Sequence, residues 1–219
     1  MMKSLTENHS RIVCFGDSIT HAQACAEADR WTTQLAFQLE KDSPGGFEVF
    51  NRGIGGNTTA LALDRIQNDV IPLLPGLVLI EFGINDAYVF PWAKIPRVAL
   101  LGYMENLAEI LRQVRAAQGE AVLIINHPIT TRMDQHTQGN NISVGANLEP
   151  YSQAAREWAR NENLAVVDLP ELLKQEEVSM DEFWSNDGVH LSPLGNKHYS
   201  NLVFSSLVKT NAIHINPVK

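Results

Sequence analysis

Cysteine is nearly missing. Of 219 residues only Cys14 and Cys25 carry a thiol. With no zinc-ligand spacing, the pair excludes a disulfide framework and a structural metal site. Cys14 sits in an apolar run and reads as a small buried hydrophobe, while Cys25 falls in a loop. Apolar runs long enough to span a bilayer are missing too. Residues 1–11 are polar and lack the apolar centre of a signal peptide, so the cytoplasm is the expected location. Positive charge is in deficit. Lys and Arg number 17 against 25 Asp and Glu, a formal net charge of −8 that disfavours nucleic acid and anionic membrane as partners. Neither an internal repeat nor a linker divides the chain. Its apolar fraction of 44% and charged fraction of 19% suit one globular domain with a full core, expected over 1–219. Oligomeric state is not legible.

Short β-branched runs alternate with longer helical patterns. Strands are expected at 12–16, 47–51, 77–82, 121–126 and 164–169, and helices at 31–41, 58–71, 97–118, 148–161 and 192–208. The last helix opens on Ser192-Pro193, a cap with proline in the first turn. This alternation, with strands that are apolar almost throughout, predicts an α/β fold whose mainly parallel five-stranded sheet is covered on both faces. Ligands in such sheets bind beyond the carboxyl ends of the strands. Two loops stand out there. Residues 87–96 carry Tyr88, Phe90 and Trp92, and residues 128–147 form a long polar stretch of the kind that is functional or disordered.

Four separated segments end on residues that acyl transfer needs. In Phe15-Gly16-Asp17-Ser18-Ile19-Thr20, Ser18 follows the first strand and is a candidate nucleophile; alone, it reads equally as a helix-capping serine. In Asn51-Arg52-Gly53-Ile54-Gly55-Gly56-Asn57-Thr58, Gly56 follows the second strand, where a glycine lets a backbone N–H approach a ligand closely. In Gly83-Ile84-Asn85-Asp86, Asn85 follows the third strand and brings a side-chain amide donor. Ser18, Gly56 and Asn85 would thus emerge on one edge of the sheet and could form an oxyanion hole. Asp187-Gly188-Val189-His190 supplies a general base, His190, with Asp187 to hold one ring nitrogen; alone it is also a polar turn before a capped helix. Asp17 and Asp86 read as structural, bonding nearby backbone.

Tyr88, Phe90, Trp92 and Trp184 either line a substrate pocket or pack loops onto the core. His127, before Pro128, either lines the cleft rim or is held there by hydrogen bonds. His9, His21, His136, His198 and His214 form no metal-ligand pair, so neither metal nor cofactor is expected. The Gly53-x-Gly55-Gly56 turn admits a rival class, a nucleotide- or flavin-binding module. It follows the second strand, lacks the dinucleotide glycine spacing and leaves Asp187 and His190 unused.

Together the four segments resemble the blocks of the SGNH hydrolases, the GDSL-type esterase/lipase family, over about 12–208. Ile19 stands where the family name has leucine. The resemblance implies a flavodoxin-like three-layer α/β/α sandwich and a serine esterase acting on a small-molecule carboxylic ester. It implies catalytic Ser18, Asp187 and His190, with Ser18, Gly56 and Asn85 as the oxyanion hole. The stretch 51–106 and the ending Asp-Gly-Val-His-Leu-Ser-Pro-x-Gly-Asn resemble the small-ester branch that includes isoamyl-acetate-hydrolysing esterases. Lysophospholipase, thioesterase and carbohydrate acetylesterase activities are the family alternatives.

Overall fold

The computed structural model describes residues 11–130, 138–176 and 180–215. Its strands are β1 (Arg11–Gly16), β2 (Glu48–Gly53), β3 (Leu77–Glu81), β4 (Glu120–Ile125) and β5 (Ala165–Asp168). They form one parallel sheet in the order β2-β1-β3-β4-β5. From Ile12 to Phe15 and from Leu77 to Ile80, no residue is more than 1% exposed. Such runs have no polar face, so they can only sit at the centre of a sheet covered on both sides.

The helices are α1 (Ser18–His21), α2 (Trp31–Asp42), α3 (Thr59–Asp69), α4 (Ile84–Ala87), α5 (Leu100–Ala116), α6 (Val144–Asn161), α7 (Leu169–Leu173), α8 (Met180–Phe183) and α9 (Pro193–Lys209). Right-handed crossovers fix their faces. The path from β1 to β2 runs one way along the sheet, and the path from β2 through β3, β4 and β5 runs the other. Helices α2 and α9 therefore pack together on one face, and α3, α5 and α6 on the other. The result is a three-layer α/β/α sandwich with flavodoxin-like strand order.

The strand order reverses between β1 and β3, where such sheets open a crevice for ligands. The register puts Gly16 opposite both Gly53 and Glu81, so three neighbouring strands end in one row. Behind that row Trp31 and Tyr199 are fully buried, 5.0 Å apart where α2 meets α9. The indole Nε1–H of Trp31 donates to Ile19 O at 3.0 Å and ties α1 to this core.

Several boundaries differ from the expected ones. Helix α5 starts at Leu100 rather than 97, because the Arg97 and Val98 N–H groups donate to Tyr88 O and Asp86 O in the preceding loop. Helix α6 starts one turn before 148. Ser143 caps it, its Oγ accepting the Ala146 N–H at 3.1 Å, although Gly145 and Asn147 look like loop residues. The short helices α1, α4, α7 and α8 were not expected. Of the long polar loop, residues 131–137 lie outside the described residues, as do His136, His9 and most of the polar start. Among the described residues, no helix is long and apolar enough to cross a membrane.

Candidate active site

Strand β1 gives way to α1 through Asp17, whose Oδ1 accepts the Ile19 N–H at 2.9 Å and caps the helix. A side chain on Gly16 would put its Cβ 2.2 Å from Thr20 Oγ1 and 2.7 Å from Glu81 Oε2, so only glycine permits this turn. Ser18 opens α1 and turns its hydroxyl to the cleft. Beyond β2, Gly56 has φ 74°, a left-handed conformation that favours glycine; no neighbour crowds it. Beyond β3, Asn85 stands half-buried in α4. The structure thus brings Ser18, Gly56 and Asn85 to one edge.

The candidate base arrives from the far end of the chain. Asp187 Oδ1 accepts three hydrogen bonds, from Ser185 Oγ at 2.7 Å and from the Val189 and His190 N–H groups at 2.9 Å each. Its Oδ2 meets His190 Nδ1 at 2.6 Å. A carboxylate only accepts, so Nδ1 carries a proton, and in the neutral ring Nε2 is then bare. That Nε2 lies 2.9 Å from Ser18 Oγ. Partial burial pushes the Asp187 carboxyl up, but the hydrogen bonds from His190, Val189 and Ser185 outweigh it and hold the group well below the usual carboxylate range.

This loop is lashed to the end of β4. Gly188 O accepts from Thr130 N–H at 3.0 Å and from Thr130 Oγ at 3.1 Å. His127 Nε2 reaches Val189 O at 2.7 Å, and Trp184 Nε1–H donates to Pro128 O at 3.0 Å. Burial lowers the His127 imidazole to about 4, so it stays neutral and serves as a donor.

Beneath Ser18 lies a second polar layer. Asn85 Nδ2 donates to Asp17 Oδ2 at 2.9 Å. The Arg97 guanidinium donates to Asn85 Oδ1 at 3.1 Å and to Gly56 O at 3.0 Å. Glu81, fully buried in β3, accepts from Thr20 Oγ at 2.9 Å and from Asn126 Nδ2. Burial raises Asp17 to about 6. Burial and then the charge of Asp17 push Glu81 well above the usual carboxylate range. Asp86 accepts the Thr59 N–H at 3.0 Å and is pushed up by burial. A phosphate at the first turn of α3 would meet this carboxylate, which disfavours the nucleotide-binding rival.

Two cavities of about 360 Å³ each meet at Ser18 and His190. One is lined by Tyr88, Phe90, Arg97 and Val144. The other is lined by His21, Gln23, Cys25, Leu191 and Asn196. Of the candidate pocket residues, Tyr88 and Phe90 reach the cleft. Trp92 does not line it; it stacks on Phe90 at 4.8 Å and is 80% exposed. His127 and Trp184 are buried behind the base loop, because both spend their ring N–H groups holding backbone carbonyls. Sequence reasoning missed Arg97 and the second cavity. It also passed over Glu81, whose signal was a lone acid inside an apolar strand.

The sequence profile of the GDSL-like lipase/acylhydrolase family matches residues 14–198. The chain is 31% identical over 202 residues to the isoamyl acetate-hydrolyzing esterase 1 homolog of Rattus norvegicus, covering 85% of this chain and 77% of that protein. It is 28% identical over 211 residues to a Bacillus subtilis (strain 168) protein named uncharacterized lipoprotein YqeF, covering 94% and 83%. Among solved structures, the lipase/acylhydrolase from Enterococcus faecalis is similar in fold. Its TM-score is 0.77 at 23% identity, with 95% of this chain and 98% of that one covered.

Proposed function

The chain belongs to the GDSL-like lipase/acylhydrolase family, and from that premise we propose that it is a cofactor-free serine hydrolase that cleaves carboxylic esters through an acyl-enzyme. The observation that carries this reading is the hydrogen-bonded path from Asp187 through His190 to Ser18. A serine hydroxyl is a weak nucleophile until a base takes its proton. Bare Nε2 of His190 takes it as Oγ bonds to the ester carbonyl carbon, and Asp187 stabilises the imidazolium that forms. Charge gathers on the carbonyl oxygen, where the N–H groups of Ser18 and Gly56 and the Asn85 amide receive it. The tetrahedral species collapses, and the leaving alkoxide takes the proton from Nε2. Water then gives a proton to the same nitrogen and attacks the acyl carbon; the second tetrahedral species collapses by breaking the bond to Ser18 Oγ, which takes that proton back from Nε2 as the acid leaves.

Short-chain esters are the substrate class of this reading. The name of the rat relative points to a small ester. Each cavity, at about 360 Å³, is near the lower end of the roughly 300–1,000 Å³ that ligand sites occupy. A p-nitrophenyl ester series from acetate to palmitate, run on wild type and Ser18→Ala, tests both parts. Turnover that vanishes in Ser18→Ala and peaks at short acyl chains is the expected result. Retained turnover in Ser18→Ala would sink the nucleophile assignment. A palmitate optimum would turn the substrate class towards lipids, and turnover confined to the acetate would turn it towards small acetylated substrates. A cytoplasmic location is part of the proposal. Recovery of the native protein in the membrane fraction would overturn it.

A further inference from the structure

We propose that Arg97 is a positioning residue that sets the polarity of the oxyanion hole, one guanidinium holding both Asn85 Oδ1 and Gly56 O. The inference rests on the reading of Gly56 and Asn85 as oxyanion donors.

An amide side chain can present either its oxygen or its nitrogen, and little in its shape tells the two apart. For Asn85 the choice decides function. An N–H facing the carbonyl oxygen stabilises developing charge; an oxygen there repels it. The neighbours of Asn85 remove the choice. On one side Arg97 only donates, and it meets Oδ1 at 3.1 Å. On the other, Asp17 Oδ2 accepts from Nδ2 at 2.9 Å. Flipping the amide would set NH2 against guanidinium and oxygen against carboxyl, losing two charge-assisted hydrogen bonds at once. One Nδ2 hydrogen goes to Asp17, and the second remains for a ligand.

The same guanidinium reaches Gly56 O at 3.0 Å. Gly56, with φ 74°, has no side chain to hold it, and its Cβ position has no neighbour within 4 Å. The Asn57 N–H of the same peptide donates to Ile54 O at 3.2 Å, and Arg97 adds the tie on the carbonyl side. Pinning that carbonyl fixes the direction of the turn and with it the N–H on the other side of the residue. Arg97 is itself held. Its backbone N–H donates to Tyr88 O at 3.0 Å, and its guanidinium carbon lies 5.5 Å from the centre of the Phe90 ring. Only a planar fork with separate N–H groups spans two acceptors on two loops; a lysine ammonium is a single point. The fixed positive charge also polarises both donors towards the cleft.

The test is steady-state hydrolysis of p-nitrophenyl acetate by wild type, Arg97→Ala, Arg97→Lys, Asn85→Ala and the Asn85→Ala/Arg97→Ala double variant, with Ser18→Ala as blank. Removing an oxyanion donor outright costs about 10²–10³ in kcat, so Arg97→Ala, which loosens donors without deleting them, should lower kcat by roughly 10- to 100-fold. KM should stay within about twofold, because binding of the ground state is not its task. Added guanidinium should restore part of the Arg97→Ala rate and none of the Arg97→Lys rate. In the Asn85→Ala background the Arg97→Ala loss should shrink, since the two act together. A wild-type kcat in Arg97→Ala, a change in KM alone, or full multiplication of the two losses would each overturn the proposal. If Arg97→Ala does not fold, Arg97→Lys decides, a lowered kcat supporting the proposal and an unchanged one overturning it. Ser18-dependent turnover that ignores Arg97 would refute this inference alone. Turnover that ignores Ser18 would refute the esterase reading beneath it.

Discussion

The two sides of the cleft are built differently. Ser18, Gly56 and Asn85 stand just past the ends of three adjacent parallel strands, and the groups behind them, Asp17, Glu81 and Asp86, are fully buried. Asp187 and His190 stand on a loop between α8 and α9, with side chains 45% and 39% exposed. The sheet side is held from below by side chains that bond one another. The loop side is held through its backbone, by Thr130 on Gly188 O and His127 on Val189 O. A strand end needs only its side chains aimed. A loop must first be kept in place, so backbone ties come before aim.

The largest expected effect lies on the loop side. Asp187→Asn should leave the fold intact and lower kcat by about 10⁴, because an amide at this position permits the wrong His190 tautomer. A loss of less than about tenfold would mean that the loop backbone alone orients His190. On the sheet side, Asn85→Ala should lower kcat by about 10²–10³, with melting temperature close to wild type. If it exceeded the Asp187→Asn loss, the ranking of the two sides would reverse.

Acid should act on the two sides in opposite directions. Asp17, raised to about 6 from 3.8, is penalised when ionised in the folded state, so its contribution weakens stability as pH rises through that window. His127, lowered to about 4 from 6.5, contributes stability that is present above 6.5 and lost as pH falls towards 4. The His127 loss amounts to about 3 kcal/mol, an order-of-magnitude figure. Urea unfolding of His127→Phe at pH 4 and pH 7 should show a smaller acid penalty than wild type. An equal penalty would place the acid-sensitive group elsewhere. The smallest effect belongs to Thr130→Val, which removes one of two bonds to Gly188 O and should cost about 1 kcal/mol or less in unfolding free energy. A larger loss, measured by the same unfolding, would make that single hydroxyl the main anchor of the loop.

The sheet was legible because β1 and β3 are apolar on both faces, a pattern no exposed strand carries. The residues on strand ends were legible for the same reason, since the parallel arrangement collects the carboxyl ends of β1, β2 and β3 on one edge. Arg97 was not. It lies 12 positions beyond Asn85 in a stretch with helical periodicity, and only the fold shows that its guanidinium turns back over Phe90. His127 and Trp184 were legible as residues near the cleft but not as buried anchors, because their role depends on which carbonyls β4 and the base loop bring together. The second cavity escaped notice because much of its lining comes from residues 21–25, a segment without a motif.

Ser18 stands at a junction with two doorways, one past Tyr88 and Phe90 and the other past Gln23 and Cys25. Ester hydrolysis is a two-visitor reaction: an alcohol must depart before water can take its place. With a single entrance the outgoing alcohol and the incoming water would queue on one path. On the proposed esterase reading, the acyl group can remain lodged on one side while traffic passes through the other. Each doorway can then be narrowed or widened by substitution without rebuilding its opposite, so on that reading preference for the acid and preference for the alcohol are separate dials.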